Sequence, residues 1–441
     1  MAKKKLLFFS IFIIIILVFV LTIYNIIYKN NNIYLNNKDE APNFISIMLE
    51  ETAGSGEYKV SKSNKWPSKG YVFNKEMSYC NNGSTLTWNK NDNSVSVNIN
   101  KTDKCYVYFD IYVPTIAEYC TSGTDLATCV KNFGDQGSSV SNIYIHNSSL
   151  ANGAGDNSYR YAGTSDSVNN FVCFGSTTSP CPEDNLYRII GVIDGKVKLI
   201  KSAVADNSLL GSDGTYAYDK TYYKWSNLSS CPNETAHVKN SNLLMLANKN
   251  VIAAPSGGAT GCNNWKYSDL NTTNLNTNYL NNIGPTWSNM IEDTTWKVSG
   301  CSSFKGTAKN IFTEEITNAT KTYGPSDGTS KIGLMYVSDY GFAASPEAWT
   351  LTMNAYDNTI AIYNNWMYSK KDELTLLSYS NNSIHIYYLS SNGGIYYMDD
   401  FSSAQDVHNV RPVFYLKFSV KYIGGKGLQS DPIQISDWWT V

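Results

Sequence analysis

Hydrophobic positions change rhythm several times along this chain. The first stretch has none: residues 6–27 run without a charge, broken only by Ser10, Thr22, Tyr24 and Asn25. As a helix rising ~1.5 Å per residue, the run covers about 33 Å, enough to cross a hydrocarbon core of ~30 Å. Lys3, Lys4 and Lys5 precede it, and such basic flanks stay cytosolic. A cleaved signal peptide would have an apolar stretch of ~7–15 residues ending in a small-x-small site. Here Lys29, Asn30, Asn31 and Asn32 come next instead. The pattern predicts a signal anchor over residues 6–28, a cytosolic tail at 1–5, and a body on the outer side of the cell membrane.

Residues 29–41 are polar and Asn-rich, and read as a stalk. Period-two patterning then begins. Val95, Val97 and Ile99 alternate with polar residues, and residues 105–113 form a near-continuous aromatic and β-branched run, the pattern of a strand buried on both faces. Residues 42–113 are expected to form a small β-sandwich module. Residues 114–184, rich in Gly, Ser and Asn, read as a loop-rich connector or an irregular edge of the next domain. From residue 185 to 441 the pattern predicts one larger α+β domain. Its clearest signal is residues 186–193, then Asp194-Gly195, then 196–201: two strands around a type I′ turn. Further strands are expected at 331–338, 384–389, 395–398 and 410–417. Helical period shows at 241–252, 269–282 and 308–320, the last behind a cap at Thr307.

Composition changes the picture in two ways. Charged residues are only 16% of the 441, while Tyr (33) and Trp (10) are abundant, a balance that suits extracellular β proteins. Net charge is −2, and about −5 without the three N-terminal lysines, which argues against a nucleic-acid partner, since that needs a basic face. The nine cysteines show no Cys-x-x-Cys spacing, and disulfides persist in oxidising compartments. Locality pairs Cys80 with Cys105, Cys120 with Cys129 and Cys173 with Cys181. Cys231 with Cys262 is a weaker fourth pair, and Cys301 is left over.

Several phrases carry a resemblance: Leu186-Tyr187-Arg188-Ile189-Ile190-Gly191-Val192, the run from Ile332 to Trp349, and Val410-Arg411-Pro412-Val413-Phe414-Tyr415-Leu416. With the segments around Cys80 and Cys105, they resemble a family of uncharacterised bacterial membrane-anchored surface proteins. The main domain is distantly similar to C-type-lectin-like and sulfatase-modifying-factor-like domains of unknown function. That resemblance implies a scaffold, not an activity. The turn at Leu377-Ser378-Tyr379 departs from the pattern. The calcium- and sugar-holding motifs of C-type lectins and the cysteine pair of the modifying enzymes have no match.

Candidate chemistry is thin. His146, His237, His385 and His408 share no metal-ligand spacing and read as structural. Ser302-x-x-Lys305 lacks the partners of a Ser/Lys nucleophile. Glu292-Asp293, Glu314-Glu315 and Asp399-Asp400 are neighbours on one segment and read as solvated surface, because glycoside hydrolysis needs two carboxyls facing across a cleft. Asp213 and Asp219 form no calcium loop. The richest cluster is residues 340–368, where Tyr340, Trp349, Tyr356, Tyr363 and Trp366 lie among Asn, Ser and Thr. Flat rings beside amide hydrogen bonders suit sugar or peptide recognition. The expectation is an adhesion-like, non-catalytic surface protein that binds a glycan or protein ligand and needs no cofactor or metal. An extracellular enzyme acting on cell-wall or host polysaccharide is the first alternative, and a structural component of the cell envelope the second.

Overall fold

The computed structural model describes residues 44–67, 70–89, 94–98, 102–211, 265, 270–298, 300–301, 306–317, 328–357, 363–379, 386–397 and 409–437. The anchor and stalk expected over residues 6–41, the helix expected at 241–252, and Cys231 and Cys262 lie outside them. Among the described residues no helix is long and apolar enough to cross a membrane. The chain divides into two compact units, Met1–Val113 and Pro114–Val441. Both are strand-rich, and the fold class is α+β.

The first unit has six strands among its described residues: β1 (Phe44–Glu50), β2 (Tyr58–Val60), β3 (Tyr71–Cys80), β4 (Thr85–Asn89), β5 (Ser94–Asn98) and β6 (Lys104–Ile111). Four of them form a sheet in the order β2-β1-β6-β3, with β1 parallel to β6 and the other pairs antiparallel. β4 and β5 make a separate hairpin. Val95 of the hairpin shares one core with Ile47, Val107 and Phe109 of the sheet, and Trp88 stacks on Phe73 at 5.6 Å. β6 corrects the expectation of a strand buried on both faces. Cys105, Val107 and Phe109 are buried, whereas Tyr106, Tyr108 and Asp110 on the alternate face are only half-buried. A continuous run of β formers cannot reveal which face is covered. Cys80 and Cys105 stand opposite each other in the register and are bridged.

In the second unit the strands are β7 (Ile143–Ile145), β8 (Tyr159–Tyr161), β9 (Phe171–Cys173), β10 (Leu186–Ile193), β11 (Lys196–Lys201), β12 (Thr294–Trp296), β13 (Gly300–Cys301), β14 (Gly328–Ser330), β15 (Ile332–Gly333), β16 (Glu373–Tyr379), β17 (Ile386–Leu389), β18 (Ile395–Tyr397), β19 (Val413–Tyr415), β20 (Lys421–Gly424) and β21 (Gln434–Ser436). The principal sheet runs β15-β19-β11-β10-β8-β7, with β9 also on β10. The β10–β11 hairpin is as expected, with Asp194 at φ 49° and Gly195 at φ 77° making the I′ turn. Residues 114–184, read as a connector or as an irregular edge of the next domain, fall within this unit, and their apolar residues share its core. Leu126, Val130 and Phe133 of the helix Leu126–Gly134, together with Ile143, Val172 and Phe174, join the same cluster as Ile189 and Leu199. Cys120–Cys129 and Cys173–Cys181 are bridged within it.

Two further departures matter for the site. Where a strand was expected over 331–338, β15 ends at Gly333 and the helix Val337–Ala343 succeeds it. All seven residues of that helix are buried, so it has no polar face and shows no amphipathic period. The Asn-rich stretch at 270–279 is π-helical. Its amides bind carbonyls rather than solvent: Asn274 and Asn278 both donate to Leu210, and Asn276 to Ile332. Thr307 caps the helix Ala308–Phe312, accepting from the Asn310 N–H.

Candidate functional site

The aromatic cluster expected to face a ligand is mostly core. Tyr340, Trp349, Tyr356 and Trp366 are at most 3% exposed, and each spends its polar tip internally. Tyr340 donates to Gly393 O, Trp349 to Ala344 O, Tyr356 to Gly341 O and Trp366 to Tyr161 O. Trp366 also backs the buried Arg188 guanidinium, which lies 4.7 Å from its ring and 4.3 Å from Phe171. Of the five candidates only Tyr363, 75% exposed, meets solvent. The clustering marks a core rather than a binding face: rings bring large apolar area, and buried hydroxyl and indole groups find carbonyls. The first unit also exposes aromatic surface, where half-exposed Tyr79 stacks on Tyr106 at 5.2 Å.

Of the other candidates, His146 keeps its structural reading and Glu315 changes. His146 is fully buried, accepts from the Ala154 N–H through Nδ1, and packs on Phe342 and Trp349. Burial, aided by the Arg160 charge, holds its pKa down to about 3. Glu315 is not solvated surface. It is 1% exposed, and its two oxygens accept from the Val337 and Ser338 N–H groups at 2.8 and 3.0 Å. Burial raises its pKa to about 7, against those hydrogen bonds and with help from the Asp339 charge. His237, His385, His408, Ser302, Lys305, Asp213, Asp219, Asp399 and Asp400 lie outside the described residues.

The charged chemistry gathers on one face of the principal sheet. In the strand register Tyr415 stands opposite Lys198, Lys198 opposite Gly191, and Gly191 opposite Arg160. Directly opposed residues project to the same face, so a tyrosine and two cations form one row with a gap between the cations. Glycine is required in that gap, since a Cβ on Gly191 would fall 2.2 Å from the Tyr159 carbonyl oxygen. The helix Val337–Ala343 covers this row and inserts Asp339 between the cations. Its Oδ1 accepts from Arg160 Nη1 at 3.3 Å, and its Oδ2 from Lys198 Nζ at 2.5 Å and from the Tyr336 N–H at 3.0 Å. Arg160 also donates to Ser158 and, at 2.9 Å, to Asp156. Burial pushes the Asp156 carboxyl up, but the Arg160 cation and the Ser158 hydrogen bonds outweigh it and hold it below the usual range.

Aromatic rings line the lysine. Its Nζ sits 4.5 Å from the Tyr336 ring centre, 5.3 Å from Tyr415 and 5.8 Å from Trp296, and burial keeps both phenols protonated well into the alkaline range. Above this floor opens a cleft of about 280 Å³. Its rim carries Asp194 and Lys196 from the hairpin turn, Thr295 from β12 with Asp293 just before that strand and Lys297 just after it, and the apolar side chains of Phe312 and Ile316. Lys196 pairs with Glu292 at 2.7 Å. Lys297 Nζ donates to the Ile316 carbonyl at 2.7 Å. The lining therefore offers fixed donors and acceptors of both signs over a dry, ordered base.

None of the floor residues stood out in the sequence. The available signal was parity and isolation: Lys196 and Lys198 share one face of a strand in which they alternate with Val197 and Leu199, and Asp339 is the one charge in residues 332–346. No family model, curated protein or solved structure matches the chain.

Proposed function

We propose that this chain is a membrane-anchored cell-surface protein whose second unit binds a polar ligand, a glycan segment or an exposed peptide, in the charged cleft without transforming it. The observation that carries this reading is the row Tyr415, Lys198, Gly191, Arg160 closed by Asp339, which places balanced, buried charges beneath an open rim of hydrogen-bonding side chains. Desolvating a buried ionic floor costs several kcal/mol per ion, which only well-formed pairing offsets, and here Arg160 and Lys198 are paired with Asp156 and Asp339. Such a floor is rigid, and rigid polar groups bind with little ordering cost. The C-type-lectin-like expectation enters here as a scaffold whose usual calcium motif is missing. The three disulfides among the described residues favour an oxidising compartment, and the uncharged run at residues 6–27 supplies the anchor.

Glycan and peptide arrays probed with the full chain, with titration of the strongest binder, test this. Asp293 and Lys297 stand exposed on the rim. Asp293→Ala and Lys297→Ala should each weaken binding about 10- to 100-fold, the loss of one hydrogen bond to a charged group at ~1.5–3 kcal/mol. Unchanged affinity in both variants would remove the cleft from the reading. Steady product formation from a bound glycan would replace the binder with the hydrolase alternative.

A further inference from the structure

We propose that Lys198 and Asp339 become joined by an intramolecular amide, Nζ bonded to Cγ with release of one water, so that strand β11 and the helix Val337–Ala343 are covalently stapled. The two side chains already touch, with Nζ 2.5 Å from Oδ2, and they are 1% and 2% exposed while lying 141 residues apart in sequence. Other ion pairs among the described residues lack one ingredient. Lys196–Glu292 is about a quarter exposed on both sides, and Arg411–Glu373 is as dry but presents a guanidinium, too weak a nucleophile to take the acyl group. Well-oriented intramolecular reactions reach effective concentrations on the order of 10⁵–10⁸ M, and here a primary amine is held against the carboxyl.

The step balances within the site. A low-dielectric surrounding disfavours the separated charges, and Tyr336, Tyr415 and Trp296 provide it around the amine. A proton passes from the ammonium to Oδ2 across the short contact, leaving a neutral amine and a carboxylic acid. The amine lone pair attacks Cγ, and the carbonyl pair moves to Oδ1, where Arg160 Nη1 stands at 3.3 Å to stabilise the negative charge. A second amine proton transfers to the Oδ2 hydroxyl, the carbonyl re-forms at Oδ1, and Oδ2 leaves as water. One C–N bond forms and one C–O bond breaks, with no oxidant or co-reactant. The net charge of the site is unchanged, because one cation and one anion vanish together and Arg160 keeps Asp156 at 2.9 Å. Glu315 is a positioning residue for this chemistry, since it grips the Val337 and Ser338 N–H groups that begin the helix carrying Asp339.

The measurement is the intact mass of the full chain after reduction and denaturation, with peptide mapping. The expected result is a chain one water lighter than its sequence, and a branched peptide that joins β11 to the helix and resists trypsin at Lys198. Lys198→Arg keeps a cation over the rings but removes the amine, and should restore the full mass. A wild-type chain of full mass overturns the proposal, as does a water loss mapped to any other residues. The wild-type mass alone decides, so a variant that fails to fold leaves the outcome intact, and so does failure of the ligand-binding reading.

Discussion

A tryptophan in a polar stretch can anchor a ligand or plug a core, and truncation separates the two roles. Trp349 and Trp366 are 1% and 3% exposed, with both indole N–H groups donating to buried carbonyls. Trp349→Ala and Trp366→Ala should therefore each cost ~3–5 kcal/mol of stability. Trp366 should lie at the upper end, because its ring also shields Arg188, a buried cation that rests on neutral oxygens of Asn170, Ser165, Trp366 and Val168. Thermal melting beside ligand titration checks this: a large drop in melting temperature at both positions is expected. Unaltered melting with lost binding would restore the aromatic-face reading. Aromatic and amide residues in one segment look alike in sequence whether the rings point inward or outward, and only burial distinguishes them.

Among the elements, the first unit depends most on one covalent link. Its buried core is small, built on Ile47, Val95, Val107 and Phe109, and small cores leave little margin. Cys80–Cys105 closes a separation of 25 residues between the end of β3 and the start of β6, worth ~3–3.5 kcal/mol in the chain-entropy account. Cys80→Ala should unfold this unit selectively, visible by hydrogen exchange as lost protection in β1, β3 and β6 with the β10–β11 hairpin still protected. Equal protection in both forms would show that the unit stands without its link. The elements legible in the sequence were those with local causes: the I′ hairpin at Asp194-Gly195, the Thr307 cap and the three short-range disulfides. The helix Val337–Ala343 was not legible, because complete burial erases the polar face from which helical period is read.

At the scale of the whole molecule, the uncharged run at residues 6–27 behind Lys3, Lys4 and Lys5 motivates a single topology, with the N-terminus cytosolic and both units outside. Protease added to intact cells should release fragments of both units and spare an N-terminal tag. A mature chain starting near Asn30 would instead identify that run as a cleaved signal.

What the sequence by itself determined are features written over short spans: strand-forming rhythm, turn chemistry, cysteine proximity and the apolar run. Such features depend on residues close together in the chain. The second unit's extent and its charged cleft were decided only by tertiary structure. Arg160 and Lys198 converge on Asp339 from 179 and 141 positions away, through a strand register that aligns them across Gly191. Charges so placed look in the sequence like any solvated lysine or aspartate. Their burial becomes favourable only when the sheet and the covering helix bring the opposite charges into contact, which is a property of the assembled layers.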